Sequence, residues 1–125
     1  MDKDKFEKLV WEGIEAIPKR FLKKLNNVDV VIEDEPTKEQ MRKLKLGQGA
    51  KLFGLYQGVP QTKRGYYSWV LPDKITIFKK PIEEVCFNDE EVRKKVKKTV
   101  WHEIAHHFGM DEQEVRKAEK RRDNQ

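Results

Sequence analysis

The stretch of sequence that decides the fold is residues 102–112, which read His-Glu-Ile-Ala-His-His-Phe-Gly-Met-Asp-Glu and contain all 3 histidines of the chain. On a helix, His102 and His106 lie one turn apart and about 40° from each other around the axis, so both imidazoles can reach one ion. Glu103 lies about 60° from His106, close enough to contact a water on that ion without being a ligand. Zinc takes imidazole nitrogens and leaves a coordination position open in catalytic sites. The stretch therefore predicts a zinc site on a helix.

The alternative is that these histidines are ordinary residues at the end of an amphipathic helix, where a histidine is mildly favourable. The residues after His106 argue against it. Gly109 follows three residues later, where a glycine in the left-handed conformation can end a helix. The chain can then turn back and present an acidic side chain at Asp111 or Glu112, which favours the metal site.

The same stretch resembles the zincin metallopeptidases, whose extended motif continues from H-E-x-x-H through x-x-G-x-x to a third ligand. Metzincins have histidine in that last place and a methionine turn further on. This chain has Glu112 there, and only sixteen residues follow Gly109. The closer resemblance is to the small single-domain bacterial zincin-like metallopeptidases, or minimal metalloproteases, whose motif reads H-E-I-A-H-H-F-G before an acidic cluster. Residues 18–21, 52–58 and 71–78 resemble other recurring segments of that family, in the same order.

This resemblance implies a zinc-dependent metallopeptidase that acts on a peptide or protein substrate with one zinc per chain. It implies His102, His106 and Glu112 as metal ligands and Glu103 as the general base that takes a proton from water and passes it to the leaving amine. It also implies that the helix lies under a small sheet, whose edge strand pairs with the substrate beside the metal. We expect that edge strand at roughly Ile75–Phe78.

The third ligand is the least determined part of the site, because a helix provides only two ligands by one-turn spacing. Glu112 matches the spacing of the motif, and the alternatives are the other downstream carboxylates, Asp111, Glu114 and Glu119, or an upstream group. His107 lies about 100° from His106, so it is either an accessory group or an ordinary surface histidine. Three tyrosines could donate a hydrogen bond to an oxyanion, although aromatic residues in strands more often belong to the core: Tyr56, Tyr66 and Tyr67.

The alternation of apolar and polar residues predicts an α+β fold, with helices at both termini around a small sheet. The resemblance implies that this sheet is zincin-like and mixed, and that it packs on the long active-site helix. We expect an amphipathic helix over residues 3–17 and, after Pro18, a short helix towards Asn26. The predicted strands are 28–34, 52–59, 66–70 and 75–78, the last two joined as a hairpin by residues 71–74. Asn88 should cap the long helix in a capping box with Glu91. Its buried stripe should be Val92, Val96, Val100, Ile104 and Phe108, and a final helix should cover about 111–122.

Length and composition predict a single domain over residues 1–125. The lone Cys86 excludes an internal disulfide and suits a reducing compartment, and we interpret it as a core thiol. The first residues lack a signal-peptide core, and no apolar run is long enough for a membrane span. We therefore expect a cytoplasmic protein without a membrane partner, with a monomer favoured.

A second interpretation is a non-enzymatic or highly partner-specific zinc-binding module that contacts nucleic acid through its basic helices. The net charge of +5 allows this, but 22 acidic residues are dispersed among the 27 basic ones, so solvated helix faces explain the charge better. Structural zinc sites have four protein ligands and usually include cysteine. A single cysteine together with Glu103 favours an enzyme, and nucleic acid is not expected as a partner.

Overall fold

The computed structural model describes residues 1–22, 28–47, 49–58 and 73–107, and Lys117. Over these residues the chain forms an α+β fold, as predicted. The helices are α1 (Lys3–Glu15), α2 (Lys19–Leu22), α3 (Lys38–Lys43), α4 (Lys79–Glu84) and α5 (Asp89–His107). The strands are β1 (Val28–Glu33), β2 (Gly54–Gln57) and β3 (Asp73–Phe78). None of these helices is long and apolar enough to cross a membrane.

The three strands form one mixed sheet in the order β1-β3-β2, with β1 parallel and β2 antiparallel to β3. The prediction that Ile75–Phe78 is an edge strand is therefore wrong, because β3 is paired on both sides. Its burial explains the error: Ile75, Thr76, Ile77 and Phe78 are all buried, so the strand lacks the alternation of a half-exposed strand. Within the described sheet the edges are β1 and β2. The predicted 66–70 strand and its hairpin lie outside the described residues.

Helix α1 packs its apolar side on α5 and ends two residues earlier than predicted. Asp2 caps its start by accepting a hydrogen bond from the backbone of Lys5 at 2.8 Å. Gly13 is buried at this contact, where a Cβ would lie at an ordinary contact distance of 3.4 Å from Cα of Lys97. The helix ends at Glu15 because the ring of Pro18 disfavours helical backbone at Ile17.

Helix α5 is the 19-residue element that carries the motif. Its start is capped as predicted by Asn88, whose side chain accepts a hydrogen bond from the backbone of Glu91 at 2.9 Å. The Glu91 carboxylate reaches back to the backbone N–H of Phe87, one residue earlier than the capping box requires. The predicted stripe is buried at Val92, Val96, Val100 and Ile104, and Trp101 and Ala105 widen it. Phe108 lies outside the described residues. So does the predicted final helix, except for Lys117, which is helical.

Candidate metal centre and cleft

The last two turns of α5 bring His102 and His106 together. Their Nε2 atoms are 3.1 Å apart, and the ring centroids are 4.7 Å apart with an interplanar angle of 64°. Two nitrogens bound to zinc at about 2.0–2.1 Å with tetrahedral angles would be about 3.3–3.4 Å apart. The separation of the two nitrogens is therefore close to that of two ligands on one zinc ion, and the donor set is of the type that zinc prefers. His102 is half-buried and His106 is exposed.

Glu103 lies on the neighbouring side of α5, where the helix faces the start of β2. Together with His102 it lines an open cavity of about 260 Å³ between these two elements, which we call the cleft. The other lining residues are Lys51, Leu52, Phe53, Gly54, Lys95, Lys98 and Thr99. Glu103 and one imidazole of the pair thus share one solvent-accessible space.

Gly54 permits the close approach of β2 to α5. A Cβ at this position would lie 2.8 Å from Cγ2 of Thr99, 3.0 Å from Cγ of Glu103 and 3.4 Å from the carbonyl oxygen of Thr76. These distances are shorter than, or at the limit of, ordinary carbon contacts, so only glycine fits without movement. The sequence allowed either a bend or a close backbone approach here, and the structure shows the close approach.

Tyr56 is held across the sheet by a hydrogen bond. Its hydroxyl donates to a carboxylate oxygen of Asp73 at 2.7 Å, and its ring lies against Gly58. Asp73 is buried at 3% exposure, although the sequence placed it in a turn rather than at the start of β3. Nothing in the sequence pairs these two residues, since they are 17 positions apart. The role of Tyr56 as an accessory group remains a prediction.

The other candidates for the site fall at or beyond the end of α5. His107 is its last residue, and its accessory role remains a prediction. The downstream carboxylates Asp111, Glu112, Glu114 and Glu119 lie outside the described residues, as do Tyr66 and Tyr67. Among the residues that the structure describes, no third histidine, cysteine or carboxylate joins the imidazole pair in a metal-binding group.

Cys86 lies away from the imidazole pair and packs against the core. Burial raises the pKa of its thiol, the charge of Glu91 raises it further, and Lys95 opposes both effects. A raised pKa reduces the thiolate fraction at neutral pH, which is the reverse of what a nucleophilic cysteine needs. The interpretation of Cys86 as a core thiol holds in part, because the side chain is half-buried and packs against the core rather than within it.

Comparison with known proteins covers the part of the chain that carries the candidate site. The model of the family described as "Zincin-like metallopeptidase" matches residues 25–122. A solved structure of a conserved hypothetical protein from Thermus thermophilus has a TM-score of 0.59 and 24% sequence identity, covering 86% of this chain and 94% of that one. At this identity the likeness concerns the fold alone. A comparison with curated proteins found no match.

Proposed function

The chain belongs to the zincin-like metallopeptidase family, and from this premise we propose that it is a zinc-dependent peptidase whose site is built on His102, Glu103 and His106. The observation that carries the proposal is the 3.1 Å separation of the two Nε2 atoms beside a cleft that Glu103 also lines. Zincins normally bind zinc, and the imidazole pair provides two of the ligands. As the third ligand we propose Glu112, because it stands three residues after Gly109, as in the extended motif.

When bound, zinc would polarise a carbonyl as a Lewis acid and lower the pKa of a bound water to about 7. Glu103 performs the proton transfer. Its carboxylate accepts a proton from the attacking water and then donates it to the amine that leaves when the C–N bond breaks. Its place in the cleft, one residue from a metal-holding imidazole, allows contact with both the water and the amine.

The substrate lies in the cleft as an extended segment. The cavity of about 260 Å³ falls just below the range of typical ligand pockets, so it accepts a short stretch of a peptide rather than a folded domain. Strand β2 borders the cleft and is an edge of the described sheet, in place of the Ile75–Phe78 strand first expected. Main-chain hydrogen bonds from β2 would add the peptide as a further strand.

The direct test is metal analysis of the purified protein, paired with cleavage of a peptide mixture. We expect one zinc per chain and cleavage that stops on chelation and returns with zinc. His102→Ala and His106→Ala should each lose the zinc and the activity, while His107→Ala serves as the matched control and should keep the zinc. Zinc that remains stoichiometric in either of the first two variants would falsify the assignment.

The third ligand has its own test. Glu112→Ala should weaken zinc binding strongly, because it removes a carboxylate that offsets the charge of the ion, whereas Glu114→Ala should leave binding largely intact. Zinc affinity measured by competition with a chelator separates the two. A strong loss in Glu114→Ala with none in Glu112→Ala would transfer the role to Glu114 and leave the imidazole pair unaffected.

A further inference from the structure

The cleft is lined by more positive than negative charge. Three lysines, Lys51, Lys95 and Lys98, line it together with Glu103, which is its one carboxylate among the described residues. The sequence suggested that the lysines of this helix were a solvated face, but the fold directs two of them to the space that holds the candidate site. A cleft with one predominant sign of charge attracts ligands of the opposite sign.

Two of the lysines are placed to meet a ligand. Nζ of Lys95 lies 4.1 Å from the centroid of the Phe53 ring, a cation–π contact that holds the ammonium group against the cleft wall. Lys98 is exposed and lies one turn before His102 on the same helix. Lys51 contributes less, because its ammonium group pairs with Glu84. Glu91 lies one helical turn before Lys95, and its carboxylate accepts a hydrogen bond from the backbone N–H of Phe87.

The distances of these lysines from His102 along the helix axis can be compared with the length of an extended peptide. Lys98 and Lys95 stand four and seven residues before His102, which corresponds to about 6 Å and about 10 Å along the helix axis. An extended peptide advances about 3.3–3.4 Å per residue. On a peptide that runs along α5, the two lysines therefore stand level with positions about two and three residues from a bond held at the imidazole pair. Because successive side chains of an extended peptide point to opposite faces, one of these two positions faces the lysines.

We propose that this chain prefers substrates with Asp or Glu two or three residues from the cleaved bond, an inference that rests on the peptidase activity proposed above. Lys98 and Lys95 are specificity-determining residues in this proposal. An exposed ion pair changes affinity by a factor of about two to five, so the two lysines together should favour an acidic residue by about four- to twenty-five-fold over its amide. Ionic strength should reduce this preference.

The test uses the full zinc-loaded chain and peptides that differ only at these positions. A cleaved sequence is first found from a peptide mixture by mass spectrometry, and variants with Glu, Gln and Lys two and three residues from the bond are then compared by kcat/KM. We expect the order Glu, Gln, Lys on one side of the bond. Lys98→Glu should reverse that order, and Lys98→Gln should reduce it. Lys94→Gln is the matched control, because it removes the same charge from an exposed position of α5 outside the cleft, and it should leave the order unchanged.

The outcomes separate this inference from the peptidase proposal. Equal kcat/KM for the Glu and Gln peptides overturns the preference while leaving the peptidase standing, and an equal effect of Lys94→Gln and Lys98→Gln assigns the effect to net charge and overturns it too. If no peptide is cleaved, fluorescence anisotropy of the labelled Glu and Gln peptides measures binding instead. Tighter binding of the Glu peptide that depends on Lys98 supports the acidic-ligand cleft without proteolysis. Equal binding, or binding of nucleic acid alone, overturns it.

Discussion

Two faces of α5 differ in almost every property, although they belong to the same helix. The inner face is apolar and buried to 5% exposure or less, and consists of Val92, Val96, Val100 and Ile104. The cleft face is polar and solvent-accessible, and carries Lys95, Lys98, His102 and Glu103, with His106 next to it. One face therefore packs the helix into the core, and the other carries the residues of the proposed site. The packed inner face holds the helix so that the imidazoles keep their separation.

The largest expected effect concerns the cleft face. Glu103→Gln should reduce kcat/KM by about 10²–10⁴, because it removes the proposed general base. Zinc content and the free energy of unfolding should stay close to those of the wild type, since the amide has the same shape and the site is not buried. Single-turnover cleavage, metal analysis and urea unfolding measure the three quantities. Activity within a few-fold of the wild type would assign the proton transfer to another group.

Ile104→Ala is the converse experiment on the inner face. It should lower the free energy of unfolding by about 2–5 kcal/mol, because it leaves a cavity beside α5. Ile104→Val is the graded control and should cost about 0.5–1.5 kcal/mol. The folded fraction of either variant should still bind zinc. If Ile104→Val lost zinc without losing stability, the two faces would not be separable.

Gly54→Ala tests the close contact between β2 and α5. Its new methyl group would lie within 2.8 Å of Cγ2 of Thr99 and 3.0 Å of Cγ of Glu103, so β2 and α5 must move apart. Overpacking of this kind costs about 1–3 kcal/mol, and activity should fall because Glu103 moves as well. Thr99→Ser removes the closer methyl group, so the double variant should regain stability. Urea unfolding of the wild type, the two single variants and the double variant gives a double-mutant cycle. Additive changes in the free energy of unfolding would contradict the contact between the two residues.

The smallest effect is a pH dependence at the far end of α5. A hydrogen bond from Lys5, and then the charge of Lys5, lowers the pKa of the Asp89 carboxyl below its ordinary value. The folded chain therefore binds this proton less readily than the unfolded chain. The stabilisation is present above the unfolded pKa of about 3.9 and is lost as the pH falls through the lower folded value.

Urea unfolding of the wild type and Asp89→Asn at pH 7 and at pH 2–3 measures this contribution. The wild type should be slightly the more stable at pH 7, and the difference should disappear in acid and shrink in high salt, since the pair is exposed. A difference of equal size at both pH values would show that the carboxylate charge is not responsible.

The motif residues were predictable because their relation is local. The i, i+4 spacing of His102 and His106 on a helix determines that their side chains are neighbours, and the 3.1 Å separation agrees with it. The cap at Asn88 and the stripe from Val92 to Ile104 follow from the same short-range rules. The family was recognisable from this stretch for the same reason.

The errors arose where a relation spans the chain. The place of β3 in the middle of the sheet depends on its pairing with Val28–Glu33, more than 40 residues earlier, and no local pattern encodes that choice. Residues 75–78 contain only one polar side chain, Thr76, and its burial follows from the sheet. The hydrogen bond between Tyr56 and Asp73 was missed because it joins two strands that become neighbours only after folding.

The sequence by itself determined a long helix with two imidazoles and a glutamate on adjoining sides, because helical periodicity converts spacing directly into direction. Only the tertiary structure decided what these side chains face. It placed β2 rather than β3 at the cleft, required glycine at position 54, and turned Lys95 and Lys98 towards the candidate site. Such contacts depend on which surfaces exclude water together, and that is a property of the whole packed chain rather than of any segment.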